Sequence, residues 1–453
     1  MKTPHLRRSA LLAVASAMVF SACSVGSQSS LPYMQSDSAL HSLSETGAGK
    51  ITHVIYIVQE NRSFDNMFQG YPGADTVPVG ENSHGQKIRL QPRRLGDPYE
   101  IDHSVQAMYA ACNGTGIVRG TGCRMNGFNN ETSYGGPKNP EYVYVPHNES
   151  KPYWDMAAEW VVADRMFQSQ LDESFVAHQY VIAAQAAWSD DLPTGEWGCG
   201  GGKYDTVATI TITRNPDGPS IHPCYDYTTL ADEVDAAKLS WRFYAATYGS
   251  PSSGDGTAWS SFRAIRHIRY GADWKYVVSP NWKFITDVRA GHLANFTWIT
   301  PVCDDSDHVN CPGNYGPSWV AALVDTVGKS KFWNSTAIFV QWDDWGGLYD
   351  HVAPPYLGRD STGFRVPLLV ISPYAKHHHV SHVQYETASV LRFAEDLFGL
   401  RQMSDADARA ASPATDCFDF NRKPRRFANI AAPKPPNFFM HNRAENYFAP
   451  DDQ

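Results

Sequence analysis

The sequence AIFVQWDDWGGLYDHVAPP, at residues 337–355, decides the fold predicted for this chain. It begins with an apolar, β-rich run that is typical of a buried strand. The run ends at two adjacent carboxylates, Asp343 and Asp344, which are followed by a Gly-Gly pair and by His351. Ligand-binding groups of open α/β sheets lie just beyond the carboxyl ends of the strands. The segment therefore predicts a strand that delivers two carboxylates to a binding site.

These neighbouring aspartates can act together only if the backbone turns after the strand. Adjacent side chains of a strand point to opposite faces of the sheet, and the two glycines permit the turn that brings the carboxylates together. Like charges at short distance repel each other, and a bound cation is the usual remedy. The alternative interpretation is a solvated Asp-Asp turn beside a structural histidine.

A second apolar run, at residues 51–58, ends in the same way. It is followed by Glu60 and Asn61, which are two more oxygen donors at the end of a predicted strand. Oxygen-rich sites favour Mg²⁺, Ca²⁺ or Mn²⁺, and Zn²⁺ also accepts carboxylates. We therefore predict one divalent metal ion, held by Glu60, Asn61, Asp343 and Asp344.

Both strand ends carry a family resemblance. ENRSFD at residues 60–65 and WDDWGGLYDHVAPP at residues 342–355 resemble motifs of the bacterial phosphoesterase family, which includes phospholipases C and a type of acid phosphatase and is related to the alkaline phosphatase superfamily. The resemblance extends in several motifs from about Lys50 to Leu400. It implies a phosphoric ester hydrolase that acts on a phosphomonoester or on a phosphodiester such as a phospholipid. It also agrees with the alternation of strands and helical stretches, which predicts a three-layer α/β/α sandwich with a mainly parallel central sheet.

The resemblance implies catalytic residues as well. Ser174 occupies the position at which relatives open a helix with the Ser or Thr that forms the phosphoenzyme, whereas the sequence alone also fits a helix N-cap. His103, in Asp102-His103-Ser104, and His308 match phosphate-binding positions, and without the resemblance they would be interpreted as structural or surface histidines. His351 is a candidate for orienting a ligand or for protonating the leaving group, and the sequence leaves both roles open.

The N-terminal segment is typical of an export signal. Residues 1–23 contain a basic start, an apolar stretch and a small-residue cleavage site that ends at Cys23. Ser-Ala-Cys resembles the lipobox of bacterial lipoproteins, which predicts acylation of Cys23, a flexible tether at residues 24–49, and an outer-membrane or periplasmic lipoprotein. Phe20 replaces the usual Leu, so ordinary secretion is the alternative.

The rest of the chain divides around this core. We predict a catalytic domain at residues 50–400, with insertions near 195–225 and 249–287, and an extended tail at 401–453. In an oxidising compartment we expect local disulfides. The predicted pairs are Cys112–Cys123, Cys199–Cys224 and Cys303–Cys311, with Cys417 left reduced.

Composition and context limit the alternatives. The 47 acidic residues exceed the 38 Lys and Arg, and no long basic run occurs, so nucleic acid is not an expected partner. A sulfatase-like enzyme on the same scaffold is one competing function, although Ser174 lacks the Cys/Ser-x-Pro-x-Arg context that such enzymes modify. A lipid-anchored binding or adhesion protein is another, and intact metal ligands argue against it.

Overall fold

The computed structural model describes residues 45–216, 218–245, 259–311 and 313–441. The predicted signal segment with Cys23, most of the predicted tether, residues 249–258 of the second predicted insertion and residues 442–453 of the tail lie outside the described residues. The predictions made for those segments stay predictions.

Within the described residues, an eight-stranded sheet forms the centre of the fold, in the order β4-β3-β5-β1-β6-β7-β2-β8. The strands are β1 (His53–Gln59), β2 (Val161–Ala163), β3 (Trp241–Tyr244), β4 (Val277–Val278), β5 (Phe296–Ile299), β6 (Thr336–Trp342), β7 (Leu368–Ile371) and β8 (His379–Ser381). In these ranges β7 is antiparallel to β6 and β2, and the other pairs are parallel. The predicted mainly parallel sheet is confirmed.

The two predicted apolar runs form the central strands β1 and β6. Their parallel register pairs Ile57 with Val340 and Gln59 with Trp342. The Asp343 amide then donates to the Gln59 carbonyl at 2.9 Å, which continues the pairing one residue past the strand. Both strands therefore end at the same edge of the sheet, where their polar residues meet.

Helices cover both faces of the sheet. They are α1 (Phe64–Phe68), α2 (Val105–Cys112), α3 (His147–Glu159), α4 (Ser174–Ala183), α5 (Leu230–Ala236), α6 (Arg266–Arg269), α7 (Lys283–Arg289), α8 (Gly316–Gly328), α9 (Ala388–Phe398), α10 (Asp405–Arg409), α11 (Ala414–Cys417) and α12 (Pro436–His441). On one face α4 packs against α5 and α9, and on the other α3 and α7 pack against α8.

The alternation of side chains along β6 shows the two faces directly. The ring of Phe339 lies 4.9 Å from that of Phe393 on α9, whereas the ring of Trp342 lies 4.8 Å from that of Tyr153 on α3. Residues an odd number of positions apart on a strand point to opposite faces. The predicted three-layer α/β/α sandwich is confirmed.

The segments outside this core also contain regular secondary structure. In the second predicted insertion, β4 pairs with β3 as an edge strand of the sheet, and α7 packs against α8. The part of the tail up to residue 441 carries three short helices and buries Phe418, Phe420 and Phe439. Short paired strands lie outside the main sheet, at Val79–Glu81 with Lys87–Arg89, Gln91–Pro92 with Val143–Tyr144, Tyr99–Ile101 with Ser133–Gly135, and Met166–Phe167 with Tyr385–Glu386.

The three disulfides that the structure describes join the cysteine pairs that were predicted from the sequence. Disulfides join Cys112 to Cys123, Cys199 to Cys224 and Cys303 to Cys311, as predicted. Among the described cysteines, buried Cys417 is the one without a disulfide. In the same part of the chain, no helix combines the length and the apolar character needed to cross a bilayer.

Candidate active site

The end of β1 places two polar side chains in the interior. Glu60 and Asn61 are fully buried. Asn61 has a φ of +51°, in the left-handed region that Asn tolerates better than most residues. Its backbone amide donates to Asp343 Oδ1 at 3.0 Å, which ties the end of β1 to the end of β6.

The Gly-Gly pair after β6 makes this close approach possible. Gly346 and Gly347 both have positive φ values, of +62° and +68°. A Cβ on Gly346 would lie 2.4 Å from the carbonyl oxygen of Asn61, so a larger residue would push the two strand ends apart. The Gly346 amide also donates to Asp344 Oδ1 at 2.8 Å and holds that carboxylate in place.

Ser174 is the first residue of α4 and is fully buried. Glu173 occupies the N-cap position, so Ser174 is not the cap that the alternative interpretation required. Its hydroxyl donates instead to Asp344 Oδ2 at 3.1 Å, and it lies 3.4 Å from the side-chain oxygen of Asn61. The hydroxyl is thus held at a helix N-terminus against a carboxylate, which is a suitable place for attack on a phosphate.

His103 lies beside this hydroxyl. Its Nδ1 donates to the Ile101 carbonyl at 2.8 Å, so Nε2 is the ring nitrogen that faces the site. Nε2 lies 2.9 Å from Asn61 Nδ2, 3.7 Å from Glu173 Oε2 and 3.8 Å from Asp344 Oδ2. The structure therefore brings His103 together with the predicted nucleophile and with two of the predicted metal ligands.

His178 completes the group, although the sequence analysis did not assign it. Its Nε2 lies 3.1 Å from Glu60 Oε1 and 3.6 Å from Asp343 Oδ2. Residues four apart on a helix share a face, so the Ser174-x-x-x-His178 spacing was the available signal.

The donor set fits a divalent cation. Ligand atoms of Glu60, His178 and Asp343 lie within 4.8 Å of one another. Among the described residues, Asp343 Oδ2 has no hydrogen-bond donor, and this carboxylate is fully buried beside that of Asp344. Uncompensated buried carboxylates are unfavourable, and a bound cation would offset their charge.

His351 belongs to a different cluster. Its ring nitrogens lie 2.6 Å from Asp65 Oδ2 and 3.0 Å from Asp75 Oδ1, and Arg365 pairs with the neighbouring Asp350 at 2.8 Å. Burial opposes a positive charge on His351, but the hydrogen bond to Asp65 and the nearby carboxylates outweigh it and raise its pKa. The structure thus places His351 in an ion-pair network that joins α1 to the segment after β6, rather than against Ser174.

His308 lies in the loop after β5, at the same edge of the sheet. The side chain of Gln59 makes two hydrogen bonds to this loop. Its Nε2 donates to the Asp305 carbonyl, and its Oε1 accepts from the Asp307 backbone amide. His308 is buried, with Nδ1 against the Val309 carbonyl. Its role in phosphate binding stays a prediction.

A known protein family matches the part of the chain that contains this site. The sequence profile of the Phosphoesterase family matches residues 51–401, which is most of the chain and includes every residue of the site. The chain belongs to the Phosphoesterase family. Membership places it among the phosphoric ester hydrolases, as the resemblance had implied.

Curated relatives of this chain include phospholipases C. The chain is 25% identical to the non-hemolytic phospholipase C of Pseudomonas aeruginosa, over 82% of its own length and 57% of that protein. It is 24% identical to phospholipase C A of Mycobacterium tuberculosis (77% of this chain, 73% of that protein) and to non-specific phospholipase C1 of Arabidopsis thaliana (82% and 73%). The chain therefore spans little more than half of the Pseudomonas relative.

Solved structures give weaker similarities. A protein of the alkaline phosphatase superfamily from Vibrio parahaemolyticus aligns with 81% of this chain and 72% of its own, at 10% identity and a TM-score of 0.36. The PsFucS1 sulfatase from Pseudoalteromonas sp. aligns with 86% and 78%, at 8% identity and a TM-score of 0.42. The family assignment of the phosphoesterase rests on its sequence.

A cavity of about 400 Å³ lies beside the buried site. His103, Glu173, Tyr134 and the segment at residues 191–194 are part of its lining. Glu100, Asp102 and Asp191 add further carboxylates to the lining. The cavity therefore reaches His103 and Glu173, the two residues of its lining that lie next to the buried Ser174.

Proposed function

We propose that this chain is a metal-dependent phosphodiesterase of the phospholipase C type, which acts through a covalent phosphoserine on Ser174. The observation that carries the proposal is the position of the Ser174 hydroxyl, 3.1 Å from Asp344 Oδ2 at the start of α4. The phospholipase C relatives support a diester substrate, and the open cavity beside His103 offers room for it.

Glu60, His178 and Asp343 would hold the metal ion, with Asn61 and Asp344 at the side that faces Ser174. When bound, the ion would neutralise phosphate charge and lower the pKa of a nearby hydroxyl. The donor set of carboxylates, an amide and an imidazole suits Zn²⁺, Mn²⁺, Mg²⁺ or Ca²⁺. In this proposal His178 is a ligand in addition to the set predicted from the sequence.

The chain's own residues account for the proton movements. Asp344 accepts the hydroxyl proton of Ser174 as Oγ forms a bond to phosphorus and the bond from phosphorus to the leaving oxygen breaks. The leaving alkoxide takes a proton from solvent in the cavity. Water then attacks the same phosphorus and gives a proton to solvent, and Ser174 Oγ leaves and recovers its proton from Asp344.

Hydrogen-bond donors in fixed positions would stabilise the negative charge on the phosphoryl oxygens. The first backbone amides of α4 have no partners within the helix and lie at the positive end of its dipole. Asn61 Nδ2, 3.4 Å from Ser174 Oγ, is a further donor at the point of attack. Donors that are already oriented before the reaction stabilise the transition state without reorganisation.

A matched substrate pair tests the reaction type. We expect p-nitrophenyl phosphorylcholine and phosphatidylcholine to be hydrolysed. We expect p-nitrophenyl phosphate to be hydrolysed at least about 10-fold more slowly, because a monoester loses the few contacts that the second ester group of a diester makes with the protein. A chelator should abolish turnover, and one of the four candidate ions should restore it. Preference for the monoester would make the protein an acid phosphatase. Full activity in chelator would show that the reaction does not need a metal ion. No turnover of any ester would favour a binding protein.

We also propose that the chain is a lipoprotein anchored to a membrane through Cys23. The support is the Ser-Ala-Cys sequence after an apolar stretch. Cys23→Ser should release the protein from the membrane fraction, and metabolic labelling with a fatty acid should mark the native chain alone. An unlabelled native chain would contradict the proposal and favour ordinary secretion.

A further inference from the structure

Separate surface loops of this protein present apolar side chains to solvent. Ile117 is fully exposed at the tip of one loop, and Ile212, 85% exposed, is at the tip of another. Trp188 and the pair Tyr356 and Leu357 are also exposed. Scattered exposed apolar residues are normal in soluble proteins, but a contiguous group marks an interaction site. Contacts of arginine side chains join the loops that carry these residues.

The loop that carries Ile117 is rigid and attached to the next one. It is closed by the Cys112–Cys123 disulfide and by the Gly116 amide, which donates to the Thr121 carbonyl at 2.9 Å. Arg119, next to the tip, donates to Asn215 Oδ1 at 2.8 Å, which joins it to the turn that carries Ile212.

Two arginines attach the remaining segments. Arg214 donates to the carbonyls of Gly358 and Ser361, at 2.9 and 2.6 Å, and its guanidinium lies 5.1 Å from the Tyr356 ring. Arg359 lies 4.3 Å from the Trp188 ring and donates to the Ile210 carbonyl. The loops that carry the exposed apolar side chains are therefore joined to one another, and we call them together the loop platform. It comprises residues 114–122, Trp188, 211–216 and 355–359.

The charge of the loop platform differs from that of the whole chain. The formal net charge of the chain is −9. The three loop segments of the platform contain no Asp or Glu, but they contain Arg119, Arg214 and Arg359. Arg119 is exposed and Arg359 is half-buried, whereas Arg214 is buried and serves to join the loops. A surface with apolar tips and these two accessible arginines suits the interface of an anionic bilayer, where apolar groups enter the acyl boundary and arginines meet lipid phosphates.

The loop platform also adjoins the catalytic cavity. Trp188 is three residues before Asp191, and Asp191 lines the cavity beside His103. The Ser189–Thr209 bridge connects this segment to the turn that carries Ile212. A surface beside the entrance would bring a membrane next to the opening of the site.

We propose that the loop platform docks the enzyme on the surface of a bilayer that contains anionic phospholipid. This contact is separate from the predicted acyl anchor and does not depend on the reaction proposed above. The apolar tips supply the attraction to the acyl boundary, and Arg119 and Arg359 add selectivity for anionic headgroups. The disulfide-closed loop limits the ordering that docking requires.

The test uses the full chain with Cys23→Ser, so that no acyl anchor contributes. Co-sedimentation is measured in chelator, with vesicles of phosphatidylcholine alone or mixed with phosphatidylglycerol. We expect binding to the mixed vesicles that weakens with salt. The double variant I117S/I212S should lower the partition coefficient about 10-fold or more, because two large aliphatic side chains no longer enter the interface. Arg119→Gln should weaken binding to the mixed vesicles and reduce its salt dependence.

Tyr270→Ser is the matched control, since Tyr270 is 62% exposed and lies just after α6, outside the loop platform. It should bind vesicles like the parent, and all variants should keep the parent's melting temperature and its turnover of a soluble ester. Equal vesicle binding by I117S/I212S and Tyr270→Ser would overturn the proposal. So would a double variant that converts a dimer to a monomer without changing vesicle binding, because the loop platform would then be a self-association surface.

Discussion

Replacing Ser174 with alanine is expected to lower kcat about 10⁴-fold or more, because removing a covalent nucleophile removes the reaction path and leaves only binding and transition-state donors. The Ser174 hydroxyl caps no backbone amide of α4, so its loss should leave the fold intact. Steady-state kinetics on a soluble phosphoester and thermal unfolding of the same preparation measure the two effects.

The matched control for Ser174→Ala is a hydroxyl residue that does cap a helix. Thr229 is the N-cap of α5 and forms a capping box with Asp232. Thr229→Ala should lower the free energy of unfolding by about 1 kcal/mol and leave kcat near the parent value. Ser174→Thr should keep some activity, since a threonine supplies the same nucleophilic oxygen. An active Ser174→Ala variant would instead make water the nucleophile.

Replacing Asp343 with asparagine is the second large effect that we expect. Asparagine keeps the oxygen that accepts the Asn61 amide but removes one negative charge from the metal site. Metal affinity should fall by more than about 100-fold, since loss of a partner that merely supports a ligand already costs 10–100-fold. Activity should fall with it. Elemental analysis after dialysis and titration of the apoprotein measure the change.

The metal-free form of this variant gives a result that a structural role would not give. Asp343 and Asp344 are buried carboxylates that repel each other without a cation. In chelator, Asp343→Asn should therefore unfold at the same temperature as the parent or at a higher one. A large fall in melting temperature in chelator would mean that Asp343 holds the fold rather than an ion.

The second acidic cluster provides the control for metal content. Asp65, Asp350 and His351 also present ligand atoms close together, but Arg365 pairs with Asp350 there. Because the guanidinium already compensates this carboxylate, we expect His351→Gln to retain the metal stoichiometry of the parent. If His351→Gln loses the ion and Asp343→Asn keeps it, the metal lies in the other cluster.

Residues that follow the two central strands were predictable because the cause is local. An apolar run that ends in oxygen donors fixes both the strand and the edge at which the donors emerge, and this applied to Glu60, Asn61, Asp343 and Asp344. Ser174 needed the family resemblance, because a hydroxyl at a helix start is equally typical of a cap.

The sequence could not show contacts between distant segments. His351 follows the second carboxylate pair closely, which suggested a place in the site, yet its partner Asp65 is 286 residues away in the chain. Helical spacing indicates the face of α4 that carries His178. Its candidate role as a metal ligand follows only from the fold, which places Glu60 beside it. The loop platform is assembled by arginine contacts between loops, and no local pattern indicates it.

The most direct measurement of the central claim is to trap the covalent intermediate. The native enzyme is quenched with acid during turnover of a phosphoester labelled at phosphorus, digested, and examined by mass spectrometry. We expect a labelled phosphoryl adduct on the peptide that contains Ser174, and none in Ser174→Ala. No adduct on that peptide, together with continued turnover by Ser174→Ala, would contradict it.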